Sequence, residues 1–271
     1  MAKITKINSL IYLNTMQNLS LDNKKTAKKI TDFLNKEFKK RKKTKAILAI
    51  SGGIDSAICA YLCKKAGLDL YAVILPYGKK GGEGGKVAEA LNLPKNHIIT
   101  IDIAPSADRA VKELEKVVKI EQVDKGNIMA RQRMIIQYAI ARKLNGLVIG
   151  TENLSEYYLG YFTLHGDQAC DISPISGLLK TQIFELAEYL GVPRWVLEKK
   201  PTAGLWPGQT DEGEFGFSYK DADQIIYLSI IKKYPKKKII KKGLNLKLIN
   251  KVLERIVVTE YKRHPSPKCL I

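Results

Sequence analysis

Ser51-Gly52-Gly53-Ile54-Asp55-Ser56 stands between an apolar, strand-like run at residues 46–50 and a helix-like run at residues 56–65. A glycine pair there commits the chain to a strand, a sharp turn and a helix, because glycine allows backbone angles and close approaches that side chains forbid. The leading N–H groups of such a helix face outward with the positive end of its dipole, a cradle for anions. Ser51 and Ser56 add hydroxyl donors, and Asp55 adds a carboxylate suited to the Mg²⁺ that accompanies phosphate. The loop lacks the lysine of the Walker pattern, so it reads as a pyrophosphate grip rather than a γ-phosphate loop. The bland alternative is a serine-capped glycine turn.

Around this loop the periodicity alternates. Short apolar runs at 46–50, 70–75, 97–101 and 147–150 predict buried parallel strands. Periodic stretches at 56–65, 86–91, 107–119 and 127–144 predict the helices between them. This is the α/β pattern of a doubly wound, mostly parallel sheet, in which ligands bind beyond the carboxyl ends of the strands where strand order reverses. Ile30, Phe33, Leu34 and Phe38 predict an amphipathic helix before the first strand, and Ala222 to Ile230 and Leu246 to Val258 predict helices near the C-terminus. Glycine-rich stretches at 76–85 and 204–216 read as mobile loops, either lids or plain surface.

Composition narrows the class. At 271 residues and 45% hydrophobic the chain suffices for one substantial core, so a single domain spanning 1–271 is the expectation. Neither a signal-like N-terminus nor an apolar run of roughly eighteen residues is present, which points to a cytoplasmic, non-membrane protein. Cys59, Cys63, Cys170 and Cys269 follow neither zinc nor disulfide spacing. Net charge is +19, with lysines gathered at 36–45 and 231–242. Only Tyr234 interrupts the second run, so a solvated surface is expected rather than a nucleic-acid interface.

Further candidates flank the predicted strand ends. Glu156, in Gly150-Thr151-Glu152-Asn153-Leu154-Ser155-Glu156, would meet Asp55 over one Mg²⁺ if the first and fourth strands are neighbours; the alternative is a solvated glutamate at a helix start. Thr151 is either a helix cap or a nucleotide contact. Arg131 and Arg133 fall in the first two turns of the predicted 127–144 helix, where the dipole disfavours them, so a binding role is expected of one and a surface place of the other. His165, Asp167 and Asp171 lack a second histidine and read as loop or substrate contacts rather than a metal site. Lys180 opens a helix at 179–190 and either reaches a phosphate or faces water.

Taken together these segments resemble the ammonia-dependent NAD synthetases, members of the N-type ATP pyrophosphatase group with an adenine nucleotide α-hydrolase-like sheet. Besides the two motifs quoted, the resemblance rests on Gly126-Asn127-Ile128-Met129-Ala130-Arg131, Gly160-Tyr161-Phe162-Thr163, Gly166-Asp167, Pro201-Thr202-Ala203-Gly204-Leu205-Trp206 and Asp211-Glu212-Gly213-Glu214-Phe215-Gly216. It implies that Ser51, Gly52, Gly53, Ile54 and Ser56 hold the pyrophosphate of the co-substrate ATP and that Asp55 and Glu156 hold Mg²⁺. It further implies that Thr151, Lys180 and Thr202 contact ATP, and that Arg131, Asp171 and Lys262 contact the second substrate, deamido-NAD. A homodimer built on the helix after Gly126 is implied as well. Asp171 or Asp167 is expected to accept a proton from ammonium.

The chain departs from the family pattern where the second substrate binds. Leu164 replaces a lysine, His165 a tyrosine, Gln168-Ala169 a glycine pair, and Tyr261 a histidine. These positions raise the prospect of a related carboxylate substrate. No glutaminase region is recognised, so free ammonia or a separate amidotransferase is the expected nitrogen source. The rival classes are an ATP pyrophosphatase that adenylates a tRNA base, which lacks its Cys-x-x-Cys pair here, and a nucleotide sensor, which has no need of paired carboxylates.

Overall fold

The computed structural model describes residues 19–78, 82–206 and 208–269. Four parallel strands, β1 (Lys45–Ala49), β2 (Asp69–Ile74), β3 (Ile98–Thr100) and β4 (Leu147–Val148), lie in the order β3-β2-β1-β4. The chain grows outward from β1 through β2 to β3, then returns to place β4 on the other side of β1. The switch point therefore lies between β1 and β4, with Ala46 opposite Leu147 and Ile47 opposite Val148. The predicted fourth strand is shorter than its apolar run; beyond it, Ile149 makes a lone parallel bridge to Ile172.

Alternation along β1 builds two faces. Ala46, Leu48 and Ile50 pack under α1 (Asn23–Lys40), α2 (Ile54–Lys65) and α7 (Lys180–Tyr189), while Ile47 joins Val73 and Val148 under α4 (Ala104–Leu114) and α5 (Gln122–Leu144). Helix α1 starts where Asp22 accepts the Lys25 N–H, and it buries Ile30, Leu34 and Phe38. Phe33 was expected on the same stripe and is instead 40% exposed, because it lies just past the edge of the buried arc.

Two predicted boundaries are corrected. The helix expected at 86–91 begins earlier, as α3 (Gly82–Ala90), inside the glycine-rich stretch expected to be loop, and its Gly84 is buried against the loop carbonyl of Ile50; residues 79–81 lie outside the described residues. The 127–144 helix begins at Gln122, behind a reciprocal cap between Glu121 and Asp124. Arg131 and Arg133 are therefore well inside α5, and the dipole argument for them lapses.

A second hydrophobic cluster is built from α6 (Leu154–Leu159), α9 (Asp211–Phe215), α10 (Tyr219–Ile226) with a π-helical turn at Tyr227–Ile231, α11 (Lys236–Lys241) and α12 (Leu246–Val258). Short α8 (Arg194–Leu197) adds Val196 to the first cluster. Within the predicted 204–216 loop, α9 is capped by the Thr210 hydroxyl; Pro207 lies outside the described residues. Among the described residues no helix is long and apolar enough to cross a membrane.

Candidate active site

The loop after β1 closes on itself through its hydroxyls. Ser51 N–H donates to Ser56 Oγ at 3.2 Å, Gly53 N–H to Ser51 Oγ at 3.2 Å, and the Ser56 hydroxyl to Gly53 O at 3.0 Å. Gly52 holds φ +84°, and a Cβ there would stand 2.5 Å from Glu83 Cβ, so both conformation and space demand glycine. Gly53 is the N-cap of α2 and offers no side chain, leaving that role to the turn. Ile54 and Ser56 are buried anchors of the first helical turn.

Three charged groups converge beside this loop from three elements. Lys180, the first residue of α7 and 2% exposed, donates through Nζ to Asp55 Oδ2 at 2.6 Å and to Glu156 Oε1 at 2.9 Å. Asp55 comes from α2 after β1, and Glu156 from α6 after β4, so the switch point is what brings them together. Asn153 completes the arrangement: its Nδ2 donates to Asp55 Oδ1 at 2.8 Å and its Oδ1 accepts the Glu156 N–H at 3.0 Å. Glu156 Oε2 in turn accepts the Asn153 N–H at 3.2 Å. Tyr219 lies under the ammonium at 5.0 Å and donates its hydroxyl to Asp211 at 2.9 Å.

Burial and the neighbouring Asp55 carboxylate push the Glu156 carboxyl above its ordinary value, against the pull of Lys180. For Lys180 burial opposes the charged form, but the two carboxylates outweigh it and hold the ammonium above its ordinary value. When both carboxyls are ionised they outnumber the ammonium, and their hard oxygens beside the Ser51–Ser56 turn are of the kind Mg²⁺ takes, with water and phosphate oxygens to complete the set. Asp55 and Glu156 thus fit such an ion.

The remaining predicted residues take separate places. Thr151 is half-buried three residues past the end of β4, and exposed Thr202 accepts the Gly204 N–H at 3.0 Å. Exposed Arg131 donates through Nε to Leu164 O at 3.3 Å, while Arg133, the less exposed of the two, donates to Leu75 O at 3.1 Å at the carboxyl end of β2. Asp171 Oδ2 accepts the Val148 N–H at 2.7 Å; none of the bonds joining Asp55, Glu156 and Lys180 reaches it. Lys262 braces the turn after α6, donating to Gly160 O at 2.8 Å and Phe162 O at 2.6 Å. Asp167 accepts the Thr163 N–H at 2.8 Å, and the protein crowding its carboxyl raises it from its ordinary value.

Three residues escaped the sequence reading. Asn153 carried a signal, the Asn-x-x-Glu spacing of a reciprocal helix cap. Glu152 is pushed up to about 8 by burial and by Asp167, and its Oε1 is buried without a partner. Asp223 carried no local signal, being 68 residues from the Ser155 it contacts.

A parallel sheet with its charged cluster at the switch point is the architecture of nucleotide-binding α/β proteins. Residues 26–266 match the NAD synthase family. The chain is similar to an NH3-dependent NAD+ synthetase of Fusobacterium nucleatum subsp. nucleatum, 38% identical over 92% of this chain and 96% of the relative. One from Pyrococcus horikoshii is 42% identical over 90% and 93%. The fold is similar to the solved NMN synthetase of Francisella tularensis, TM-score 0.81 at 33% identity, covering 93% of this chain and all of that one. The protein belongs to the NAD synthase family.

Proposed function

We propose that this protein is a ligase that amidates deamido-NAD with ammonia, spending ATP and releasing AMP and pyrophosphate. The observation that carries the proposal is the meeting of Asp55, Glu156 and Lys180 within 2.6 and 2.9 Å at the mouth of the Ser51–Ser56 turn. An amide does not form from a carboxylate and ammonia until one oxygen becomes a leaving group. The nicotinate carboxylate therefore attacks the α-phosphorus of ATP, the bond to the bridging oxygen breaks, and pyrophosphate departs. Ammonia then attacks the acyl carbon, AMP leaves, and the surplus proton passes to a carboxylate, for which Asp167 or Asp171 is suited.

In this reading the backbone N–H groups of Gly52, Gly53 and Ile54, with the hydroxyls of Ser51 and Ser56, hold the pyrophosphate while charge grows on it. Lys180 faces the same charge from α7, and Thr151 and Thr202 lie against the nucleotide. Asp55 and Glu156 hold Mg²⁺, which when bound neutralises phosphate charge. Arg131 and Lys262, which donate to carbonyls of the 160–167 turn, shape the site of the second substrate together with Asp171. We take the chain as one catalytic unit working as a homodimer through α5, whose Val123 and Ile135 are 59% and 53% exposed.

A second reading is favoured by the NMN synthetase likeness and by the departures at Leu164, His165 and Gln168: the acceptor is the deamido mononucleotide. One assay separates the readings. Pyrophosphate release is measured with ATP, Mg²⁺ and ammonium, adding deamido-NAD, deamido mononucleotide or bulk tRNA in turn. Turnover with the dinucleotide supports the main reading, with the mononucleotide the second, and release with tRNA alone or with none defeats both.

A further inference from the structure

We propose that Asp223 is a positioning residue for this reaction: reaching from α10, its carboxylate fixes the first turns of α6 and α7 and so sets the distance at which Lys180 meets Asp55 and Glu156. The inference rests on the role proposed above for that cluster.

The leading N–H groups of a helix have no acceptor within it. For α7 the N-cap residue is Leu179, which carries no oxygen on its side chain, and the acceptors come from elsewhere in the chain. Lys180 N–H donates to Ser155 Oγ at 2.8 Å, and Thr181 N–H donates to Asp223 Oδ2 at 2.8 Å. The Ser155 hydroxyl closes the set by donating to Asp223 Oδ1. Ser155 and Asp223 are both 0% exposed, so no water competes for these bonds. Ser155 immediately precedes Glu156 in α6, and Lys180 is the first residue of α7. A shift of either helix start therefore moves one of the three charged groups directly.

A lysine at a helix N-terminus works against the dipole, and the Asp223 carboxylate beside the same turn offsets it. Burying a carboxylate is costly, and an apolar side chain would fill the space between α7 and α10 at lower cost. The carboxylate is explained by the need to hold two helix starts in register, which an apolar contact does only loosely. Asp223 touches neither substrate nor the reacting atoms; it acts through Ser155 and the α7 backbone. The helical cluster around α10 is thereby mechanically linked to the chemistry.

The test compares Asp223→Ala, Asp223→Asn and Ser155→Ala with the unaltered protein. Asparagine keeps the acceptor for Thr181 N–H and the side-chain size, losing the charge and the acceptor for Ser155. Three quantities are read: kcat and KM for ATP separately, the thermal midpoint, and the ¹H–¹⁵N signal of the Lys180 ammonium, which burial protects from exchange and which Lys180→Arg identifies by its loss. Misplacing a reacting group by about 1 Å costs up to roughly 100-fold, so Asp223→Ala and Ser155→Ala are expected to lower kcat by about 10- to 100-fold. KM for ATP should stay within about threefold, because the loop contacts are untouched. Asp223→Asn should recover most of the loss, and the Lys180 signal should shift or broaden in both alanine variants. A folded Asp223→Ala with unaltered kcat and an unmoved Lys180 signal would overturn the proposal. If that variant does not fold, Ser155→Ala decides by the same criteria. Absence of turnover in the unaltered protein defeats the functional reading, while the Lys180 signal still tests the positioning.

Discussion

Lys180 decides the character of the site at the scale of single residues. On sequence it was one of many lysines with two open readings, and what distinguishes it is a burial that no window of neighbours encodes. Lys180→Met removes the ammonium and leaves Asp55 and Glu156 facing each other; breaking a buried pair this way costs about 3–5 kcal/mol, read as a lower urea midpoint. Added Mg²⁺ should recover more stability in this variant than in the unaltered protein, and an equal response would count against the metal assignment. Glu152 gives a pH prediction. Its folded value of about 8 lies above the ordinary 4.5, so the native state holds this proton more tightly than the unfolded chain does. Native stability is therefore lost as pH rises from about 4.5 to about 8. Glu152→Gln should flatten that decline, measured as urea midpoints at pH 5 and pH 8; parallel curves would show that Glu152 is not the source.

At the scale of elements, strands and long helices were legible because their apolar spacing repeats, whereas the first turn of α3 was hidden by its own glycines. Gly82, Gly84 and Gly85 lower intrinsic helix formation, and the helix exists because its first turn packs on the loop after β1. A Cβ at Gly84 would stand 2.0 Å from Ile50 O, a backbone atom that cannot turn aside. Gly84→Ala should therefore cost about 1–3 kcal/mol and lower the thermal midpoint by several degrees, roughly 5 °C. Because the displaced turn borders the phosphate loop, KM for ATP should rise as well. An unchanged midpoint would mean that α3 packs differently. The N-terminal start of α5 was missed for a related reason: Glu121 and Asp124 form a reciprocal cap that does not follow the Ser/Thr-x-x-Glu spelling.

For the whole molecule the decisive relation is that β4 returns to the side of β1 away from β2. That single crossover brings Asp55 and Glu156 together across 101 positions of sequence, and α7 and α10 then close around them. Val123 and Ile135 leave exposed apolar surface on α5. Ile135→Asp should convert a dimer to a monomer in light scattering while leaving the circular dichroism spectrum unchanged. A monomeric unaltered protein would remove the dimer proposal instead.

By itself the sequence determined the strand–turn–helix loop, the alternation that makes a parallel sheet, and the residues of the family pattern, because each is written in short-range spacing or in a string of specific side chains. Tertiary structure alone decided that β1 and β4 are neighbours, that Lys180 is sealed between two carboxylates, and that Asp223 holds the helix that carries it. Those facts depend on which distant segments share a buried volume, and in that volume water is excluded and the electrostatic value of each contact is set.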